Sequence, residues 1–309
     1  MLSLIKNNRS PRGSLGLDLD SGYLAAVQLA DGHIVRTTSA DLPPGVVRDG
    51  EIADVPALRD ILRAFFKERK LPRRVRLGIA NQQIVVRHLE LPKINDPVAL
   101  AAAVRFQAAE AIAMPLDEAI LDHHVVGEGM SPEGRPVLRV LVVAARASMI
   151  DRFIDAVRGA GLRPEGIDLN AFAMVRVLTK DSRPEQGATV LCHLGGTTNL
   201  AVAIANSCLF TRPLSTIWDE EGEHVGTALA EEIRMSIDFY MSQSDAPPVE
   251  SVRLSGPGAR REGLLEELEG PIGLPVALAE PLGALPGELA ANEDPFRHTV
   301  AAGLALGAA

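Results

Sequence analysis

The strongest constraint on how this chain can fold is a pattern that occurs twice. From Ser14 to Thr38 three short apolar runs, SLGLDL, YLAAVQL and HIVRTT, are separated by Asp20-Ser21-Gly22 and Asp31-Gly32. Turn-forming residues between strand-like runs predict a β-meander. The segment ATVLCHLGGTTNLAVAIANSCLFTRPL, at 188–214, repeats the pattern with turns at Gly195-Gly196 and Asn206-Ser207. With 309 residues, enough for roughly two domains of ~150, the repetition predicts two duplicated α/β halves.

Between the meanders, Leu58, Ile61, Leu62, Phe65 and Phe66 recur at helical spacing, Leu71-Pro72 ends that helix, and VRLGIA at 75–80 reads as a strand. The strand IVVRHLEL at 84–91 opens a second unit. Asp96-Pro97 starts a helix running to about Ala113, Met114-Pro115 ends it, and the strands AILDHHVV and VLRVLVVAA follow around the loop GEGMSPEGRP. A helix from Ser148 to Ala160 carries Ile150, Phe153, Ile154 and Val157 on one face and stops at Gly161. The order βαββα predicts a small insert within the first half. A short helix around Phe172 and Val175 and the polar linker TKDSRPEQG lead to the second meander. Beyond it, a helix from about His224 to Gln243 aligns Val225, Leu229, Ile233, Ile237 and Tyr240; a strand, SVRLSG, follows, and an Ala-rich helix from Phe296 to Ala308 closes the sequence.

Composition narrows the function classes. The 40 Asp and Glu outnumber the 31 Lys and Arg, for a formal charge of −9, which supplies no basic field for nucleic acid or anionic lipid. No apolar run reaches the roughly 18 residues of a membrane span. The opening MLSLIKNNRSPRG contains no apolar stretch for a secretory signal, and Leu2 and Ile5 read as a frayed terminus, so the expected compartment is the cytoplasm. Cys192 and Cys208 lack the neighbours of a zinc site and read as buried thiols. His123 and His124 point to opposite faces of a strand and cannot share a metal. The pairs Glu231-Glu232 and Glu266-Glu267 read as solvated helix faces, and no GxSxG, HExxH or Walker lysine motif occurs.

The remaining candidates are glycine-rich turns. Asp18-Leu19-Asp20-Ser21-Gly22 and Leu194-Gly195-Gly196-Thr197-Thr198 hold equivalent places in the two meanders. Successive backbone N–H groups beside small residues make a nest for anions, and two facing nests could clamp a triphosphate. Ser255-Gly256-Pro257-Gly258-Ala259-Arg260 lies between a strand and a helical run, where its backbone could approach a ring or a phosphate.

Those turns carry a resemblance. GLDLDSG at 16–22 is similar to the opening GIDIG-S/T-S motif of the actin-like ATPase superfamily, HLGGTTN at 193–199 to its second phosphate motif, and LSGPGA at 254–259 to its adenosine motif LTGGGA. Within that superfamily the chain resembles the PilM family of type IV pilus assembly, related to the cell-division protein FtsA. The stretches RHLELP at 87–92, FQAAEAIAMPLDEAILDHHVVGE at 106–128, the run at 142–176 and AEEIRMSIDFY at 230–240 carry this likeness. It implies a two-lobed actin-like α/β fold of duplicated βββαβα, ribonuclease-H-like halves. The first lobe would comprise 12–83 and 164–187, the inserted subdomain 84–163, and the second lobe 188–309 with a helical subdomain at about 218–246. ATP with Mg²⁺ would sit between the lobes: Asp18 toward the metal, Ser21 and Gly22 on terminal phosphates, Gly195, Gly196, Thr197 and Thr198 opposite them, and Glu232, Gly256 and Gly258 bordering the nucleoside.

The departures bear on chemistry. His193 stands where the family has a second-lobe Asp, Asp20 replaces a glycine, and Ala25 stands where many relatives have a lysine. Imidazole is a poor ligand for a hard cation, and a second carboxylate beside a triphosphate is repulsive without a bridging metal. The resemblance thus implies a scaffold with weak or absent hydrolysis, binding the N-terminal peptide of the inner-membrane protein PilN near Leu77–Asn81 and Val85–Leu91. Pilus platform and motor components would be its further partners, and its place cytoplasmic, peripheral at the inner membrane. The alternatives are a small-molecule kinase, for which no acidic base is evident, and an FtsA-like filament-forming adaptor, for which AAGLALGAA at the end lacks a basic amphipathic face.

Overall fold

The structure, a computed structural model, describes residues 14–183, 187–215, 225–243, 246–283 and 285–307. The segment with Leu2 and Ile5, residues 12–13, the opening of the helical subdomain at 218–224, and Ala308 lie outside the described residues.

The first half starts as a meander: β1 (Ser14–Leu19) pairs antiparallel with β2 (Tyr23–Ala30), and β2 with β3 (His33–Asp41). A small hairpin, β4 (Val47–Arg48) and β5 (Glu51–Ile52), leads to α1 (Val55–Glu68). Asp54 sets where α1 begins, its carboxylate accepting from the Ala57 N–H at 2.9 Å with Pro56 in the first turn. β6 (Arg74–Ile79) pairs parallel with β1. The chain then departs into β7 (Val85–Pro92), α2 (Pro97–Ala111), β8 (Ala119–Met130) and β9 (Pro136–Arg146), and returns through α3 (Ala147–Gly159) to β10 (Arg163–Leu169) and α4 (Asn170–Leu178). The second half runs β11 (Ala188–His193), β12 (Asn199–Ile204), β13 (Ser207–Pro213), α5 (Val225–Met241), β14 (Val249–Ser255), α6 (Leu264–Ile272), β15 (Val276–Leu278) and α7 (Thr299–Leu306).

Two five-stranded sheets result, ordered β10-β6-β1-β2-β3 and β13-β12-β11-β14-β15. In each, an antiparallel meander continues past its first strand into two parallel strands. The repeat in the sequence is therefore a repeat of topology, in two α/β lobes. Matching the halves reassigns one helix. In the second half β14, α6 and β15 form a simple parallel crossover; in the first, β7, α2, β8 and β9 are inserted into the corresponding crossover from β6 through α3 to β10. The sequence order groups α3 with the insert at 84–163, but its apolar face does not pack there. Met149, Ile150, Phe153, Ala156 and Val157 join the first-lobe core with Leu58, Leu62 and Phe65. The insert has a core of its own around Leu89, Leu91, Leu100, Val104, Val140 and Val142. Helical periodicity reveals an apolar face and is silent about the neighbour that receives it.

The last helix of each half lies against the sheet of the other. Ala171, Met174 and Val175 of α4 pack with Leu191, Ala201 and Ala203 of β11 and β12. Conversely, α7 packs on β1, β2 and β6, placing Ala301, Ala302 and Ala305 in a cluster with Tyr23, Ala25 and Val27. The two helices touch so closely that a Cβ at Gly303 would stand 1.9 Å from the Ala173 carbonyl oxygen. The stretch 188–309 read as second lobe thus ends on the first lobe's sheet, because α7, apolar on every side after Thr299, is buried between layers.

Candidate functional site

Two separate places between the lobes are candidates. The first is the seam where the ends of β1 and β11 meet. Asp18, at the end of β1, is buried, and Asn170 at the start of α4 donates to its Oδ1 at 3.3 Å. Burial, with the neighbouring Asp20 charge, raises the Asp18 pKa to about 8 against the pull of Asn170 and Tyr23. His193, at the end of β11, is equally buried, which lowers its pKa to about 4 and keeps it a neutral imidazole near pH 7. Its Nδ1 lies 3.0 Å from Ser255 Oγ and its Nε2 3.5 Å from the Tyr23 hydroxyl.

Above this layer the two glycine turns meet directly. The Gly196 N–H donates to Asp20 Oδ1 and Oδ2 at 2.9 and 3.0 Å, and the Gly22 N–H donates to Oδ1 at 3.2 Å. Burial raises the Asp20 pKa while these donors restrain the shift. A Cβ on Gly196 would fall 1.6 Å from Ser21 Oγ, and one on Gly195 2.7 Å from Asp20 Oδ2. Thr197 and Thr198 lie just beyond, accepting through their carbonyls from Asn199 Nδ2 at 2.9 Å and the Leu214 N–H at 2.8 Å. With Gly196 they border a cavity of about 570 Å³ shared with Arg48, Asn81, Gln82 and Ser215. Glu232, on α5, accepts from the Ser215 N–H at 2.9 and 3.2 Å at the edge of that cavity. Gly256 and Gly258 close on Leu194: the Gly258 N–H donates to the Leu194 carbonyl at 3.1 Å.

The structure therefore gathers Asp18, Ser21, Gly22 and Gly195 to Thr198 at one seam, with Glu232, Gly256 and Gly258 around it. Mg²⁺-triphosphate does not fit between the turns as they stand. The Gly196 donor is taken by Asp20, the Asp18 carboxyl is held toward its neutral form, and His193 offers nitrogen where a hard cation needs oxygen. Among the described residues no cluster of three or more His, Cys, Asp or Glu side chains could hold a metal. Cys192 is a buried free thiol. Ser255, which opens the glycine-rich loop singled out in the sequence, joins the seam through its side chain, and Tyr23 and Asn170 complete it without having been foreseen; a polar residue opening an apolar helix, as Asn170 does, was the available hint.

The second candidate is a groove of about 1060 Å³ on the insert's side of the molecule. Its wall is one face of the sheet β7-β9-β8. Leu89, Val140, Val142 and Ala144 point to the opposite face, which α2 covers. On the groove face the registers His88↔Leu141↔His124 and Glu90↔Arg139 form successive rows. Further along that face, Val143 and Ala145 pack into the first-lobe core. One sheet face thus anchors the insert at one end and stays open at the other, and the split places His123 and His124 on opposite faces as their alternation requires. Across from it stand Asp168, Phe172, Val175 and Arg176 of the first lobe, and Cys208, Leu209 and Tyr240 of the second. The floor is electrostatically settled: Arg176 donates to Asp168 Oδ2 at 2.8 Å and to the Gly303 carbonyl at 2.6 Å. Of the stretches singled out from sequence, 85–91 contributes the side chains of His88 and Glu90, whereas Leu77–Asn81 does not reach the groove; Asn81 borders the smaller cavity instead.

Comparison with known proteins agrees with this architecture. The chain superimposes on the structure of a PilM–PilN type IV pilus biogenesis complex with a TM-score of 0.82 at 23% identity, covering 96% of this chain and 98% of that one. More distant likenesses include the ethanolamine utilization protein EutJ from Carboxydothermus hydrogenoformans, with a TM-score of 0.52 at 16% identity, covering 98% of this chain and 92% of that one. MreB 5 of Spiroplasma citri bound to AMPPNP aligns with a TM-score of 0.51 at 11% identity over 96% of each chain. No curated protein sequence is significantly similar to this one. The family described as type IV pilus assembly protein PilM matches residues 16–214, well over half of the sequence and including the first meander, the whole insert and the second glycine turn. The chain, an actin-like two-lobed protein, therefore belongs to the PilM family of type IV pilus assembly proteins.

Proposed function

We propose that the chain is a scaffold of the type IV pilus assembly platform that captures the N-terminal peptide of a PilN-like inner-membrane protein in the 1060 Å³ groove. It works on the cytoplasmic side and is held at the membrane through that partner, with other platform and motor components as further contacts. The observation that carries this reading is the divided sheet face: Val143 and Ala145 fix the insert to the first lobe, while Val126 of the same sheet stands exposed and the buried Leu141 and half-buried Phe172 line the groove beside it. An extended peptide entering there meets Leu141 and Val126 among the polar side chains of His88, His124, Glu90 and Arg139, with β7 as an edge strand to pair against. Among the described residues no helix is long and apolar enough to cross a membrane, which suits a protein recruited by a membrane-anchored partner. The scaffold role needs no Mg²⁺-ATP turnover.

The test is fluorescence anisotropy of a labelled PilN-type N-terminal peptide titrated with the full chain. Saturable binding that the same unlabelled peptide competes away, and that a reversed-sequence peptide does not, is the expected result. Equal binding of the reversed peptide, or none of either, would sink the proposal.

A further inference from the structure

The two turns that look like phosphate clamps hold each other. The contact joins residues 176 positions apart: Gly196 in the second lobe gives its N–H to both carboxylate oxygens of Asp20 in the first, at 2.9 and 3.0 Å. From its own turn Asp20 draws the Gly22 N–H at 3.2 Å and the Ser21 hydroxyl at 3.3 Å. A nest of N–H groups recognises an anionic oxygen edge, and a carboxylate offers the same edge as a terminal phosphate on a shorter arm. The spacing suits the shorter arm. Gly196 lies so close that a single added carbon would be 1.6 Å from Ser21 Oγ, and no phosphoryl group can be interposed while the contact stands. Beneath it, Tyr23 to His193 and His193 to Ser255 continue the seam inward at 3.5 and 3.0 Å.

We infer that Asp20 is a built-in substitute for a nucleotide's terminal phosphate, joining the Gly195–Thr198 nest to the first lobe and closing the cleft without a ligand. A nucleotide can enter this cleft only by displacing Asp20, and the relative placement of the lobes, which shapes the groove on the other side, is set by the chain itself. The inference concerns the nucleotide cleft and is independent of peptide capture, so failure of either leaves the other intact.

The experiment is titration of the full-length wild type and Asp20→Gly with a fluorescent ATP analogue in the presence of Mg²⁺. Removing the carboxylate frees the nest, so Asp20→Gly is expected to bind at least about tenfold more tightly than wild type, the scale of one charge-assisted hydrogen bond. Wild type binding as tightly as the variant overturns the inference. Hydrogen exchange at the Gly196 amide of the wild type supplies a reading that does not depend on the variant folding. Protection without nucleotide, unchanged on adding Mg²⁺-ATP, is expected; an amide that exchanges freely until nucleotide is added overturns the inference.

Discussion

The cleft between the glycine turns and the groove beneath the insert are both gaps between the same lobes, and they are finished in opposite ways. In the cleft, most polar groups brought to the seam find partners within the chain, Asp20 with Gly196, Asp18 with Asn170 Nδ2 and His193 with Ser255, although Asn170 Oδ1 is buried without a hydrogen-bond partner. In the groove Asp168 pairs with Arg176 on the floor and Glu90 with Arg139 on the wall, while Val126 stands exposed. Polar gaps close themselves when a short side chain can span them, because a buried unpaired carboxylate or N–H costs about 1–3 kcal/mol. The groove wall, which mixes Leu141 and Val126 with His88, His124, Glu90 and Arg139, has no opposite face within reach to close on, and we read it as available to a partner.

The comparison can be broken most severely at what the two places share. α4 and α7 form the wall between them, and Gly303→Val forces a side chain into the Ala173 carbonyl. A loss of about 3 kcal/mol or more is expected, read as a large drop in chemical-denaturation midpoint, with peptide binding lost in the fraction that unfolds. Second is the acid response of the cleft. With a folded pKa of about 4 against an ordinary 6.5, His193 binds its proton more readily in the unfolded chain. Its contribution is therefore complete above pH 6.5 and is lost as pH falls toward 4, by up to about 3 kcal/mol. The stability difference between wild type and His193→Gln, followed by thermal melting from pH 7 to 4, should shift in the variant's favour as pH drops; a flat difference would mean that the imidazole is already solvated in the fold.

A smaller effect separates the groove from the cleft. Val126, 49% exposed on β8, can become Glu with a stability change within about 0.5 kcal/mol, while a peptide seated over it must desolvate the new carboxylate. About a tenfold weaker peptide affinity, or 1.4 kcal/mol, is expected by anisotropy, with nucleotide titrations unchanged. Smallest is Asp96→Ala, which removes the carboxylate that accepts from the Ala99 N–H at 2.9 Å at the start of α2. About 1 kcal/mol of stability should be lost, with peptide affinity unaltered, because α2 covers the sheet face that the groove does not use.

Local chemistry made much of this legible in advance. Asp-Gly and Gly-Gly turns between apolar runs marked both meanders, and Asp96, just before a proline-containing first turn, marked the start of α2. The glycine turns also marked the seam, since only small residues allow such close approach. The ownership of α3 and α7 was not legible: Phe153 and Ala302 are apolar wherever they are buried, and their partners, Leu62 and Val27, lie far away in sequence. Nor was the contact of Asp20. Its carboxylate stood out as an added charge beside an expected phosphate, while its actual partner is the amide of Gly196.

The sequence by itself determined the duplicated strand order, the helix starts and the residues small enough to meet at the seam, because turns, caps and periodicity are settled by neighbours a few positions apart. Only the tertiary structure decided that the closing helices exchange sheets, that one face of the insert is half anchor and half groove wall, and that Asp20 meets the Gly196 amide of the other lobe. These depend on which surfaces and charges come together across more than a hundred residues, where burial and hydrogen-bond satisfaction of the whole chain, rather than of any segment, choose the partner.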